Sequence, residues 1–184
     1  MKRTRSIVLT ILAASACGAL AQAQDADVQK ALLAAPARAK KEEITVIKWK
    51  PDFTYETLQK GTGSMVCYDL SGFPEHPAFT VECTSMANLP RVAQNLKAEA
   101  KGDRKATAAE LMAEEKDGTR VKPEFGSVFI HFMGPDQEHA FHHTTIMVPG
   151  ATTQSLGLPE SGKEGGAWIM NAGTSTAHIM TPGS

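Results

Sequence analysis

The chain lacks an excess of charge of either sign: 19 Lys and Arg stand against 20 Asp and Glu, a formal net charge of −1. That excludes the electrostatic footprint expected of a nucleic-acid binder or of a protein held on an anionic membrane surface. The nearest thing to a basic patch is Arg38, Lys40 and Lys41, which runs straight into Glu42 and Glu43 and reads as a solvated linker. Cysteine is scarce, three residues with no CxxC spacing, so a thiolate metal module has no support. Internal repeats and long low-complexity tracts are absent, and with them a solenoid or a fibrous array. No Gly-x-Ser-x-Gly elbow occurs. The run from Gly162 to Gly166 has neither the strand-to-helix context nor the following Ser or Thr of a phosphate loop.

Long apolar runs are missing as well, with one exception. Ile7 to Leu20 carries no charge, yet at about 14 residues it is shorter than the roughly 20 that span a bilayer as a helix. Lys2, Arg3 and Arg5 precede it and Ala21-Gln22-Ala23 follows, a small-x-small cleavage site. Basic start, apolar run and small-residue site together read as an export signal over residues 1–23, cleaved near Ala23. The expected product is periplasmic or secreted, with no membrane span. Ala14-Ser15-Ala16-Cys17 offers an alternative, a lipoprotein box in which Cys17 carries a lipid anchor, although Ala14 stands where such boxes usually have Leu. Cleavage removes three basic residues and no acidic one, which moves the formal charge from −1 to −4 and leaves 161 residues, enough for one domain with a real core.

Export gives meaning to the two remaining cysteines. Cys67 and Cys83 lie in strand-like segments, Met65 to Tyr68 and Phe79 to Cys83, on either side of a turn-rich stretch from Asp69 to Pro77. In an oxidising compartment such a pair is read as a disulfide.

The remaining chain divides into residues 24–43, an N-terminal helix and linker, and 44–184, a single α+β domain. Gln24 to Ala35 reads as a short helix ended by Pro36. Ile44 to Trp49 is β-branched and strand-like, while Phe53 to Leu58 fits a strand or a helical turn equally. Asn88 caps a helix with Pro90 in its first turn and Gly102 past its end; Leu89, Val92, Ala93, Leu96 and Ala100 form its apolar stripe. Thr107-Ala-Ala-Glu110 fits a capping box for a second helix stopped at Gly118. Strands return at 127–133, 142–148, 167–170 and 176–180. The expectation is a mostly antiparallel sheet of six to eight strands, a helical hairpin packed on it, and a short N-terminal helix.

Chemistry concentrates in the histidines. His131, His139, His142 and His143 fall within 13 residues. If the strands around them pair as a hairpin, His131 and Met133 share a face with one of the adjacent His142 and His143. Met133, Met147 or Glu138 supply further donors. Imidazole suits zinc and copper, and thioether favours Cu(I), so copper or zinc at His131, His139, His142 and His143 is one expectation. Loop histidines with local hydrogen bonds are the plainer one. His178 and Met180 share a face and, with Met170 opposite, fit the wall of a pocket, although this spacing is more common for core or half-buried packing; Trp49 and Trp168 read as core anchors. Three functions follow. The first is an exported accessory protein that binds a small ligand or transition metal through a His/Met cluster. The second is a periplasmic enzyme using His131, His142 and His143 in hydrolysis or oxidation. The third is a non-catalytic interaction module of the envelope.

Overall fold

The computed structural model describes residues 22–182. Residues 1–21 of the expected export leader, Cys17 included, lie outside them. The described chain is α+β. Eight strands form one sheet: β1 (Thr45–Trp49), β2 (Tyr55–Gln59), β3 (Met65–Asp69), β4 (Phe79–Ser85), β5 (Val128–Gly134), β6 (Phe141–Met147), β7 (Trp168–Met170) and β8 (His178–Met180). Their spatial order is β2-β1-β3-β4-β5-β6-β8-β7. Every pairing is antiparallel except β1 with β3. The parallel pair arises because β2 folds back on the outer edge of β1, and the chain then passes to the inner side to start β3. Gly61 and Gly63 make that passage. A Cβ at Gly61 would sit 2.2 Å from the Glu43 carbonyl oxygen, so only glycine fits. The ambiguous stretch 53–58 is resolved as a strand, with Phe53 at φ 63° in the turn before it.

Strand alternation gives the sheet two different faces. The first is covered by helix α1 (22–31) and the 3₁₀ turn Leu32–Ala34. Val28, Ala31, Leu32 and Ala34 pack there with Val46, Val81 and Ile130. The expected helix to Ala35 thus tightens in its last turn, as chains do shortly before a proline. Cys67 and Cys83 face each other on this side as direct register partners and are disulfide-bonded, both fully buried. On the second face α2 (Leu89–Glu99) lays Leu89, Val92 and Leu96 against Ile47, Val66, Tyr68 and Phe129. Trp49 is an anchor of this cluster, as expected.

α3 (Arg104–Asp117) starts three residues before the expected capping box. Asp103 caps it, its carboxylate accepting from the Lys105 and Ala106 amides at 2.9 and 3.2 Å. Thr107 is buried instead, its hydroxyl donating to Glu75 at 2.6 Å. Gly118 ends the helix in the left-handed region, as expected. Asn88 occupies the cap position of α2 but does not cap it. Its amide donates to Thr84 and Ser127, both at 2.9 Å, and its oxygen accepts from the Glu124 amide at 2.8 Å, pinning α2 to the sheet. A single-turn helix, α4 (Thr153–Leu156), follows β6.

Candidate functional site

Between the second face of the sheet and the two helices α2 and α3 lies a cavity of about 1060 Å³. Its wall is largely apolar, with Leu70, Val92, Leu96, Phe129, Met133 and Met147 among the lining residues. A cavity of this size with a few convergent polar groups is where a small ligand is expected to bind. Met112 and Met170, both exposed, mark its rim.

One set of polar groups comes from a single row across the sheet, while Glu75, His76, Glu99, Arg104 and Glu115 also line the cavity. Tyr68 opposes Glu82, Glu82 opposes His131, and His131 opposes His143, on β3, β4, β5 and β6. All four therefore point to the same face. The Tyr68 hydroxyl donates to Glu82 Oε1, and His131 Nδ1 donates to Glu82 Oε2 at 2.7 Å. Tyr68 and Glu82 are buried, and His131 is half-buried on the cavity wall. Nδ1 is committed to the carboxylate, so Nε2 is the nitrogen left for a ligand. The Phe129 ring, two residues back on the same strand, stacks 6.3 Å from His131, and the His143 ring 6.1 Å away across the strand pair. The imidazole is thus held in position and orientation by three neighbours.

Charge in this row is ordered. Burial alone favours the neutral form of His131, but the Coulombic attraction of Glu82 and its hydrogen bond outweigh it and raise the imidazole pKa. Burial likewise opposes ionisation of Glu82. The His131 charge and the hydrogen bonds from His131 and Tyr68 win there too, and the carboxyl pKa is lowered. Burial, and then the Glu82 charge, push the Tyr68 hydroxyl well above its ordinary pKa, so it stays a proton donor. His143 is lowered, by burial first and then by the charges of His131 and His178. The pair is therefore one imidazole inclined to hold its proton beside one inclined to lose it.

A second cationic group lines the same cavity. Arg91 on α2 is 5% exposed, and one of its guanidinium nitrogens donates to the Val121 carbonyl. Burial and the neighbouring Arg120 lower its pKa to about 10, which leaves it a cation at neutral pH. Arg120 donates to Gln94 at 2.7 Å and to Asn95, fastening the segment after α3 to α2.

Of the four histidines singled out by the sequence, the structure brings together His131 and His143. His142, the neighbour of His143, lies on the opposite face, stacked at 4.4 Å on Phe132 and exposed. His139 lies in the β5–β6 loop, its ring 2.8 Å from Asp136 and open to solvent. Glu138 is exposed in the same loop. Among the described residues no three His, Cys, Asp or Glu side chains gather as a metal-binding group. Sequence reading missed Tyr68, Glu82 and Arg91. The available signal was Glu82 itself, a carboxylate between apolar residues in a strand-like run, at a position that alternation turns away from Val81 and Cys83. His178 and Met180 are half-buried and, with Met170 opposite, line the cavity, the pocket-facing alternative to core packing. They belong to short strands at the end of the sheet and are half-buried or exposed.

No protein-family model matches the chain, and neither a curated protein nor a solved structure resembles it. Among the described residues no helix is long and apolar enough to cross a membrane.

Proposed function

We propose that this is an exported binding protein for a small organic anion: a molecule with an apolar body and one carboxylate or comparable oxyanion. The observation that carries this reading is the Glu82–His131 pair at the wall of a largely apolar cavity. The apolar body is accommodated by Val92, Leu96, Phe129 and the methionines. The charged end meets His131 Nε2, protonated with the help of Glu82, and Arg91 adds a second positive charge on the facing helix. An ion pair beside a largely apolar wall is stronger than in bulk water. Export to the periplasm or the medium, with removal of the leader near Ala23, completes the reading, and the Cys67–Cys83 bridge is compatible with it.

The test is thermal unfolding of the protein with a graded series of aliphatic and aromatic carboxylates and their neutral amides. Saturation at 100 times Kd stabilises by about 2.7 kcal/mol. We expect stabilisation by carboxylates of intermediate size, a weaker effect from the amides, and loss of the difference in His131→Gln. A flat response across the acids, or equal binding of acid and amide, overturns the reading.

A second reading rests on the opposed proton preferences of His131 and His143. An acid and a base 6.1 Å apart are the equipment of general acid–base chemistry. Such an enzyme acts by hydrolysis, the neutral His143 accepting a proton from water and the protonated His131 donating one to the leaving group. Turnover of a carboxylate ester that disappears in both His131→Gln and His143→Gln supports it. Binding without turnover leaves the first reading alone.

A further inference from the structure

We propose that Met147, His178 and Met170 form a binding site for a soft monovalent metal ion, Cu(I) above all, at the end of the cavity away from Glu82. Register places the three side chains in one row: His178 pairs with Met147 on β6 and with Met170 on β7. Direct neighbours in antiparallel strands have Cβ atoms about 4.5–5.5 Å apart and share a face. An imidazole is thus flanked on both sides by a thioether, and all three residues line the cavity. Met180, two residues on from His178 and therefore on the same face, adds a third sulfur beside them.

The histidine is prepared for metal. Its Nδ1 lies 2.8 Å from the Thr176 carbonyl oxygen. A carbonyl only accepts, so Nδ1 carries the proton and Nε2 carries the lone pair. A ring N–H tied to a backbone carbonyl is the usual outer-shell support of a metal-bound imidazole, fixing both tautomer and ring plane. The donor set then decides the ion. Two or three thioethers with one imidazole suit Cu(I), whereas Zn²⁺ takes thiolate, imidazole or carboxylate. No carboxylate belongs to this row of the sheet. Exposure varies along the row: Met147 is buried, His178 is half-buried and Met170 is 40% exposed, which gives an ion a path in from solvent. The copper expectation raised by the histidine-rich hairpin thus moves to a different group. His139 and His142 take no part, and the site stands or falls separately from anion binding at His131.

The experiment is anaerobic competition for Cu(I) between the full chain and a chromogenic Cu(I) chelator, in a Cys17→Ser background so that no free thiol competes. Ag(I) serves as a redox-inert stand-in for calorimetry. We expect one equivalent of Cu(I) or Ag(I) bound and no competition by equimolar Zn²⁺. Loss of an outer-shell partner alone weakens metal binding about 10–100-fold, so loss of a ligand should weaken it by at least about tenfold. Met170→Leu, conservative in volume and on the surface, should do so with the melting temperature of the metal-free protein unchanged. His178→Asn should do so independently. The double variant His139→Gln/His142→Gln should keep full affinity. Failure of the folded chain to withdraw Cu(I) from the chelator overturns the proposal. So does binding that survives Met170→Leu and His178→Asn, or binding that disappears in the His139/His142 variant.

Discussion

Glu82 and His131 stand directly opposite each other on β4 and β5, and the carboxylate accepts the imidazole Nδ1 proton at 2.7 Å from within the core. On its other oxygen the same carboxylate accepts from Tyr68. A 7% exposed carboxylate side chain satisfied on both oxygens in this way holds one imidazole at the wall of the cavity in a single tautomer. The proposed anion chemistry follows from that relationship.

The pair sets a pH window for stability. His131 has a raised pKa in the fold, so its contribution is complete below its ordinary value of 6.5 and is lost as pH rises through the folded value. Glu82 has a lowered pKa, so its contribution is complete above its ordinary value of 4.5 and is lost as pH falls through the folded value. Stability attributable to the pair should therefore be greatest between about pH 4.5 and 6.5. Urea unfolding of the protein at pH 5.5 and pH 8.5 should show the decline, and the His131→Asn variant should show less of it. Parallel pH profiles for the two proteins contradict the assignment.

Removing one partner should cost more than removing the whole network. Glu82→Ala strands the buried Tyr68 hydroxyl and the His131 charge, and should destabilise by about 3–5 kcal/mol. The triple variant Tyr68→Phe/Glu82→Leu/His131→Leu replaces the network with apolar side chains and should recover much of that loss. Urea midpoints at pH 6 measure both. A triple variant no more stable than Glu82→Ala rejects this account of the network.

The Cys67–Cys83 bridge closes a loop across 16 positions of sequence. In the chain-entropy account such a loop contributes about 3 kcal/mol. Replacing both cysteines by alanine should lower stability by at least that amount, since two fully buried sulfurs also leave a gap. Thiol titration of the unfolded, unreduced Cys17→Ser protein should find no free thiol. Two thiols per chain would contradict the bridge.

Glycines separate a packing requirement from mere flexibility. Gly61→Ala drives a methyl against the Glu43 backbone at 2.2 Å and must displace either β1 or the segment that leads into β3. It should cost well over the ~1 kcal/mol typical of point substitutions. Gly166→Ala meets nothing within 4 Å and should change stability by less than about 0.5 kcal/mol. Equal effects of the two substitutions in thermal unfolding count against the close approach.

Alternation and punctuation made most of the elements legible. Residues 44–49, 65–68, 79–83 and 127–133 are β-branched or aromatic runs between turn formers, and each is a strand to within a residue or two. The two cysteines, placed in such runs on either side of a turn, are the partners they were expected to be. The 142/143 pair also behaves as period two dictates: one histidine faces the cavity beside His131 and the other faces away. Local pattern suffices in these cases because side-chain direction in a strand is set by the backbone of that strand alone.

The order of the strands was decided only by the tertiary structure, and the site depends on that order. Tyr68, Glu82, His131 and His143 come from four strands, and nothing in any one segment marks them as a row. The same holds for Met147, His178 and Met170, which come from three strands and form a row only because β8 inserts between β6 and β7. Asn88 and Thr107 show the reverse: both carry a local capping signal, and both are drawn instead into hydrogen bonds with distant partners, Ser127 and Glu124 for Asn88 and Glu75 for Thr107. Burial is the physical reason. A polar group removed from water takes whichever partner the assembled layers present, and which layers meet is a property of the whole sheet and the helices on it.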